Sequence, residues 1–180
     1  MKTPSAEVLD RAGRIRLVLL DSDGVLTDGR IIVSSDGSEA RSFDVRDGFG
    51  IRLGRSAGLS FGVISGRESR ALTARAQDLG LDEVHQGVHD KLGLVREILD
   101  RRGLEPGDVC FVGDDLIDLP AMRYCGLAIA PADAVDQVRE VAHHVTERPG
   151  GRGAVREVVD MLLRATGSWD EVTARYFTEP

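Results

Sequence analysis

The chain of 180 residues is 42% hydrophobic and 29% charged, which suits one compact domain with its own core and excludes disordered or collagen-like architectures. A formal charge of -7 argues against broad attachment to nucleic acid or anionic membrane, and no run reaches the ~20 apolar residues of a membrane span. The opening MKTPSAEVLDRAGRIR lacks the apolar stretch and cleavage site of a secretory leader, so the expected location is the cytoplasm.

After a polar tail over 1–14, the apolar run IRLVLLD (15–21) predicts the first strand. GRIIVSSDGSEARSFDVRDG (29–48) reads as strand, SDGS turn and strand, a β-hairpin inserted after it. Further strands are expected at LSFGVIS (59–65), DEVHQG (82–87), DVCFVGD (108–114) and GLAIAPA (126–132). Helices fall between them. ESRALTARAQDLG (68–80) carries Leu72, Ala76 and Leu79 on one face, and KLGLVREILDRRG (91–103) carries Leu92, Val95, Ile98 and Leu99, with Gly80 and Gly103 as stops. A flexible RPGGRG precedes a helix from Gly153 to about Arg164, and residues 168–180 form a C-terminal extension. Strands alternating with helices predict an α/β fold, a doubly wound, Rossmann-like parallel sheet over 15–167.

In such a sheet, ligands gather beyond the carboxyl ends of the strands. There stand Asp21 and Asp23, either side of Ser22. One carboxylate can attack phosphorus to give an acyl phosphate, while the other protonates the leaving alcohol and then activates water. The ordinary alternative is that Asp-Gly marks a turn. A second acidic group, Asp114, Asp115 and Asp118, follows another strand, and carboxylates from two strand ends suit a hard cation such as Mg²⁺. These three also fit a helix N-cap with acids in its first turn, a role that suits Asp118 best. Ser65 and Gly66 end a third strand and Lys91 opens a helix, so a hydroxyl, a backbone amide and a point charge are available to phosphoryl oxygens.

The ordered set Asp-x-Asp, Ser, Lys, Gly-Asp-Asp resembles the haloacid dehalogenase superfamily from about Ile15 to Leu163. DSDGVLTDG, FDVRDGFGI, ISGR, HQGVHDK, GDDLIDLPAM and GGRGAVREV are most similar to its phosphatases of 3-deoxy-D-manno-octulosonate 8-phosphate. The resemblance implies Asp21 as nucleophile, Asp23 as general acid and base, and Ser65, Gly66 and Lys91 as phosphate binders. It implies Mg²⁺ held by Asp21, the Asp23 carbonyl and Asp114, with Asp115 and Asp118 in support. Thr is usual in place of Ser65, and valine or isoleucine in place of Ser22.

Only 43 residues separate Asp21 from Ser65 and 25 separate Ser65 from Lys91, so neither gap holds a cap domain. Related capless enzymes tetramerise through their hairpins, and a homotetramer acting on a small sugar-acid phosphate is the expectation. By resemblance Arg75 lies near the substrate carboxylate, and Arg67 matches the octulosonate group where sialic-type 9-phosphate phosphatases carry an acid. Arg46, Asp47 and Arg152 are candidates to reach a sugar acid bound in a neighbouring subunit or to form an interface. Two rivals remain open: a sialic-type or broad phosphatase, and a non-catalytic oligomerisation module. Cys110 and Cys125 read as buried thiols, and Trp169, Tyr176 and Phe177 as packing residues.

Overall fold

The computed structural model describes residues 4–177. In chain order the elements are α1 (Ala6–Ala12), β1 (Leu17–Leu20), β2 (Ile32–Val33), β3 (Glu39–Ala40), α2 (Val45–Ser56), β4 (Ser60–Ile64), α3 (Arg70–Leu79) and β5 (Glu83–His85). There follow α4 (Lys91–Arg102), β6 (Val109–Val112), α5 (Leu119–Tyr124), β7 (Leu127–Ala130), α6 (Asp136–Val141), β8 (His144–Val145), α7 (Ala154–Ala165) and α8 (Trp169–Thr173).

Leu17–Leu20 has no polar alternation because both of its faces are covered. Val18 and Leu20 pack with α1, α2, α3 and α7 on one side of the sheet, and Leu17 and Leu19 with α4, α5 and α6 on the other. Among the described residues the sheet is six-stranded and parallel, in the order β5-β4-β1-β6-β7-β8. The chain therefore runs outward from β1 in both directions, and β1 with its neighbours marks the switch point where a ligand crevice opens. Leu20 lies level with Val63 and Val112, which brings the loops after β1, β4 and β6 together. Gly80 and Gly103 end α3 and α4 in the left-handed conformation, as their positions predict.

Several expectations need correction. The hairpin does not extend over 29–48: pairing is confined to Ile32 with Ala40 and Val33 with Glu39, and from Val45 the chain is helical. Asp44 caps that helix by accepting the Arg46 N–H. The tail over 1–14 contains α1, whose Val8 and Ala12 are buried. β8, α5 and α6 went unanticipated. RPGGRG is packed rather than loose, since the Gly151 N–H donates to the Val25 carbonyl at 2.9 Å and a side chain on Gly150 would strike the Gly24 carbonyl. It forms the floor beneath the loop that follows β1. In the extension, Trp169 packs on the core beneath Arg164 and Tyr176 meets Phe49 edge to face, but Phe177 is exposed and packs little. Residues 178–180 lie outside the described residues. Both cysteines are buried free thiols, and burial pushes Cys125 up to about 12. No described helix is long and apolar enough to cross a membrane.

Candidate active site

The crevice at the carboxyl end of β1 is organised around Lys91. Its Nζ donates to Asp21 Oδ1 at 2.5 Å and to Asp118 Oδ1 at 2.6 Å, with all three side chains buried. The position follows from sequence: Asp90 caps α4 by accepting the Gly93 N–H, so Lys91 is the first helical residue and projects into the crevice. Burial opposes the ammonium charge, yet the two carboxylates outweigh it and hold Lys91 above the ordinary lysine range.

Asp118 has no oxygen to spare. Its Oδ2 accepts the N–H groups of Asp114 and Asp115 at 3.0 and 3.3 Å, which folds the loop after β6 around it. Asp118 thereby ties Lys91 to the loop after β6. Asp115 caps the following turn through Leu116 and is itself exposed. Asp21, Asp114 and Asp118 offer carboxylate oxygens within 4.8 Å of one another, and Asp21 and Asp114 alone keep oxygens for a further group. Burial raises Asp21 to about 6 in spite of Lys91. Burial, and then repulsion from Asp21, Asp118 and Asp115, raises Asp114 to about 8. The cluster is short of positive charge, and its all-oxygen donor set suits a hard divalent cation.

Gly24 permits this approach. It has φ +95°, and a Cβ there would lie 2.0 Å from Asp114 Oδ2. Gly24→Ala is expected to displace Asp114, lower divalent-cation affinity more than tenfold and cost about 1–2 kcal/mol for the left-handed backbone. Cation titration and urea unfolding of the variant measure the two effects, and unchanged cation affinity would contradict this packing.

Ser65 is buried, and its Oγ accepts the Arg67 N–H at 3.2 Å, leaving the hydroxyl proton for a ligand. Gly66 stands beside it near Val88 and Ile117. Ser22 is buried with a hydroxyl that has no partner.

Within one chain, Arg75, Arg46 and Arg152 lie apart from the crevice carboxylates. Arg75 binds Asp78 at 2.9 Å and the Asp44 carbonyl at 3.2 Å. It lines a groove of about 450 Å³ with Arg46, Arg52 and Arg156 that none of the crevice carboxylates enters. Arg46 pairs with Asp44 and the Arg152 carbonyl, and Arg152 with Asp28 at 3.4 Å. Asp47 is buried as the cap of α7, accepting N–H groups of Gly153 and Arg156. Arg67 does lie at the crevice rim, where it binds Glu39 at 3.0 Å. The residue that sequence reasoning missed is Arg41, which donates to Asp23 Oδ1 at 2.7 Å from the end of the hairpin.

Residues 79–156 match the model of haloacid dehalogenase-like hydrolases. The 3-deoxy-D-manno-octulosonate 8-phosphate phosphatase of Escherichia coli K12 is 44% identical over 93% of this chain and 89% of its own. The structure of the Yersinia pestis phosphatase of the same name superposes with a TM-score of 0.90 at 42% identity, covering 92% of this chain and 89% of that one. The Moraxella catarrhalis phosphatase, solved with magnesium ion, phosphate ion and KDO, superposes at 0.93 with 36% identity, covering 94% and 98%. By sequence over nearly its whole length and by fold, the chain belongs to the haloacid dehalogenase-like hydrolases, in the family of 3-deoxy-D-manno-octulosonate 8-phosphate phosphatases.

Proposed function

We propose that the chain is a Mg²⁺-dependent phosphatase that hydrolyses 3-deoxy-D-manno-octulosonate 8-phosphate through an aspartyl phosphate on Asp21. The observation that carries the reading is the buried triad in which Lys91 bridges Asp21 and Asp118 at the switch point of the sheet. Lys91 holds Asp21 Oδ1, which leaves Oδ2 to attack phosphorus in line with the departing sugar oxygen. Two of the three ammonium protons are engaged, and the third donates to a phosphoryl oxygen with the Ser65 hydroxyl and the Gly66 N–H. Asp23 protonates the leaving oxygen and then takes a proton from the water that opens the acyl phosphate. Asp21, Asp114 and the Asp23 carbonyl would hold the Mg²⁺, which when bound neutralises charge shared between nucleophile and phosphoryl group.

The assembly that fits a crevice without a cap is a homotetramer joined through the hairpins. Ile32 and Val33 support it, being 62% and 64% exposed on two-residue strands that are marginal by themselves. Two unpaired cysteines accord with a cytoplasmic location.

The test is phosphate release, with and without Mg²⁺, from the octulosonate 8-phosphate, a sialic-type 9-phosphate and simple sugar phosphates. A Mg²⁺-dependent kcat/KM preference for the first is expected; equal rates on all would remove the substrate assignment, and no release would favour an assembly module.

Cation binding should also depend on pH. Asp21 and Asp114 ionise near 6 and 8 in the fold but near 4 when unfolded, so without cation the fold loses stability as pH rises through that window. A cation that binds the ionised forms reverses the trend, and the rise in Tm on adding Mg²⁺ should be larger at pH 8 than at pH 6. Thermal unfolding at the two pH values checks the sign.

A further inference from the structure

Arg41 follows β3 directly, and its side chain is fully buried although the hairpin around it is exposed. Its Nη1 donates to Asp23 Oδ1, while Nε and Nη2 are buried without a hydrogen-bond partner. Glu39 stands 3.9 Å from Nη2, too far for a hydrogen bond, and gives its other oxygen to Arg67. Asp23, Arg41, Glu39 and Arg67 thus form a line of alternating charge from the loop after β1 to the loop after β4, across the mouth of the crevice.

Buried guanidinium nitrogens without acceptors are costly and rare in a folded chain, and each calls for an explanation. Which two are orphaned is informative. Nε and Nη2 make up one edge of the guanidinium, a fork of parallel N–H donors spaced to fit two oxygens of a single carboxylate or phosphate. Nη1 on the opposite edge anchors the group to the residue next to the reacting bond. A hairpin held in place only for packing would not leave both donors of a fork without a hydrogen-bond acceptor beside Asp23, with only Glu39 at 3.9 Å from one of them.

We propose that Arg41 is a substrate-binding residue of this site, in which Asp23 anchors the guanidinium and the free Nε–Nη2 fork takes two oxygens of the anionic sugar phosphate. The inference rests on the phosphatase reading for the identity of the anion, though the empty fork itself calls only for a two-oxygen anion. That anion is either the phosphoryl group or the carboxylate of the sugar acid, and the two are separable.

The experiment titrates inorganic phosphate, and separately free 3-deoxy-D-manno-octulosonate, into the wild type, Arg41→Ala and Arg41→Lys by calorimetry with Mg²⁺ present. Steady-state kinetics on the 8-phosphate run in parallel. Arg41→Ala is expected to weaken one of the two anions about 10- to 100-fold, the loss of a bidentate charged contact. Arg41→Lys restores the charge but not the fork, and should recover only part of the affinity. Loss of phosphate affinity assigns the fork to the phosphoryl group, and loss of sugar-acid affinity assigns it to the carboxylate. Unchanged affinity for both, with unchanged KM and kcat, would overturn the proposal and leave Arg41 a structural tie. A rise in kcat for Arg41→Ala would overturn it too, by showing a latch on Asp23. If the wild type binds phosphate through Arg41 but releases none from the 8-phosphate, the substrate assignment fails and the Arg41 assignment stands. Circular dichroism and Tm of both variants confirm that the comparison is between folded proteins.

Discussion

Asp21→Asn is expected to lower turnover by at least about 10⁴-fold while leaving the fold intact. Asparagine has the shape of aspartate, and its Oδ1 still accepts from Lys91, which also keeps its bond to Asp118. What disappears is the anionic oxygen that would bond to phosphorus. The energetics run the same way. Burial holds Asp21 above the ordinary aspartate range, so its ionised form is a net cost to the folded state without a cation. Neutralising it should leave urea unfolding of the cation-free protein unchanged or slightly strengthened. Phosphate release and urea midpoints measure the two parts. Turnover within about tenfold of the parent would remove Asp21 from the chemistry.

Lys91→Met should act on stability as strongly as on rate. Methionine nearly matches the length of lysine but leaves Asp21 and Asp118 as two buried carboxylates without their shared cation, Asp118 keeping only its two backbone donors. Breaking a buried pair in this way costs about 3–5 kcal/mol. The penalty should depend on pH, because protonation of Asp21, which burial already raises to about 6, relieves its share: the loss is greatest near pH 8 and shrinks toward pH 5. Mg²⁺ should recover part of the stability but not the turnover, since the phosphoryl group would still lack the Lys91 donor. Urea midpoints at the two pH values, with and without Mg²⁺, follow the effect. A variant as stable as the parent at pH 8 would mean that Asp21 and Asp118 do not depend on Lys91 for their charge.

The parts of the site that are legible in the sequence are those in which position along the chain fixes position in space. Asp21, Ser65 and Asp114 each follow an apolar run that becomes a strand of one parallel sheet, so their convergence follows from the topology. Lys91 stands out because it opens a helix in a chain that has only one other lysine, and the structure adds that Asp90 caps that helix. Arg41 gave no such signal. It lies in a polar hairpin whose neighbours are exposed, and its burial depends on how that hairpin folds back over Asp23. For Arg75 the sequence places the helix but not the side chain, which within the chain turns toward Asp78 and the start of α2. The helix α2 was itself hidden by Gly48, Gly50 and Gly54, which suggest turns in sequence. In the fold they let the helix approach closely, with Gly54 against Phe61 and Val159 and Gly50 against Arg156. α2 and α7 thereby share a contact that no local pattern announces. β8, two residues long, is too short to have a period.

Between residues 4 and 177 the chain has a single primary amine, and it is 2% exposed at the bottom of the crevice; the other lysine, Lys2, lies outside the described residues. An acylating reagent in water therefore reaches Lys91 only from states in which the bridge to Asp21 and Asp118 has come apart. Its labelling rate, divided by that of a free lysine, reads directly how often the crevice opens. The natural sequence thus carries a chemical clock for the breathing of this site, with no probe to install.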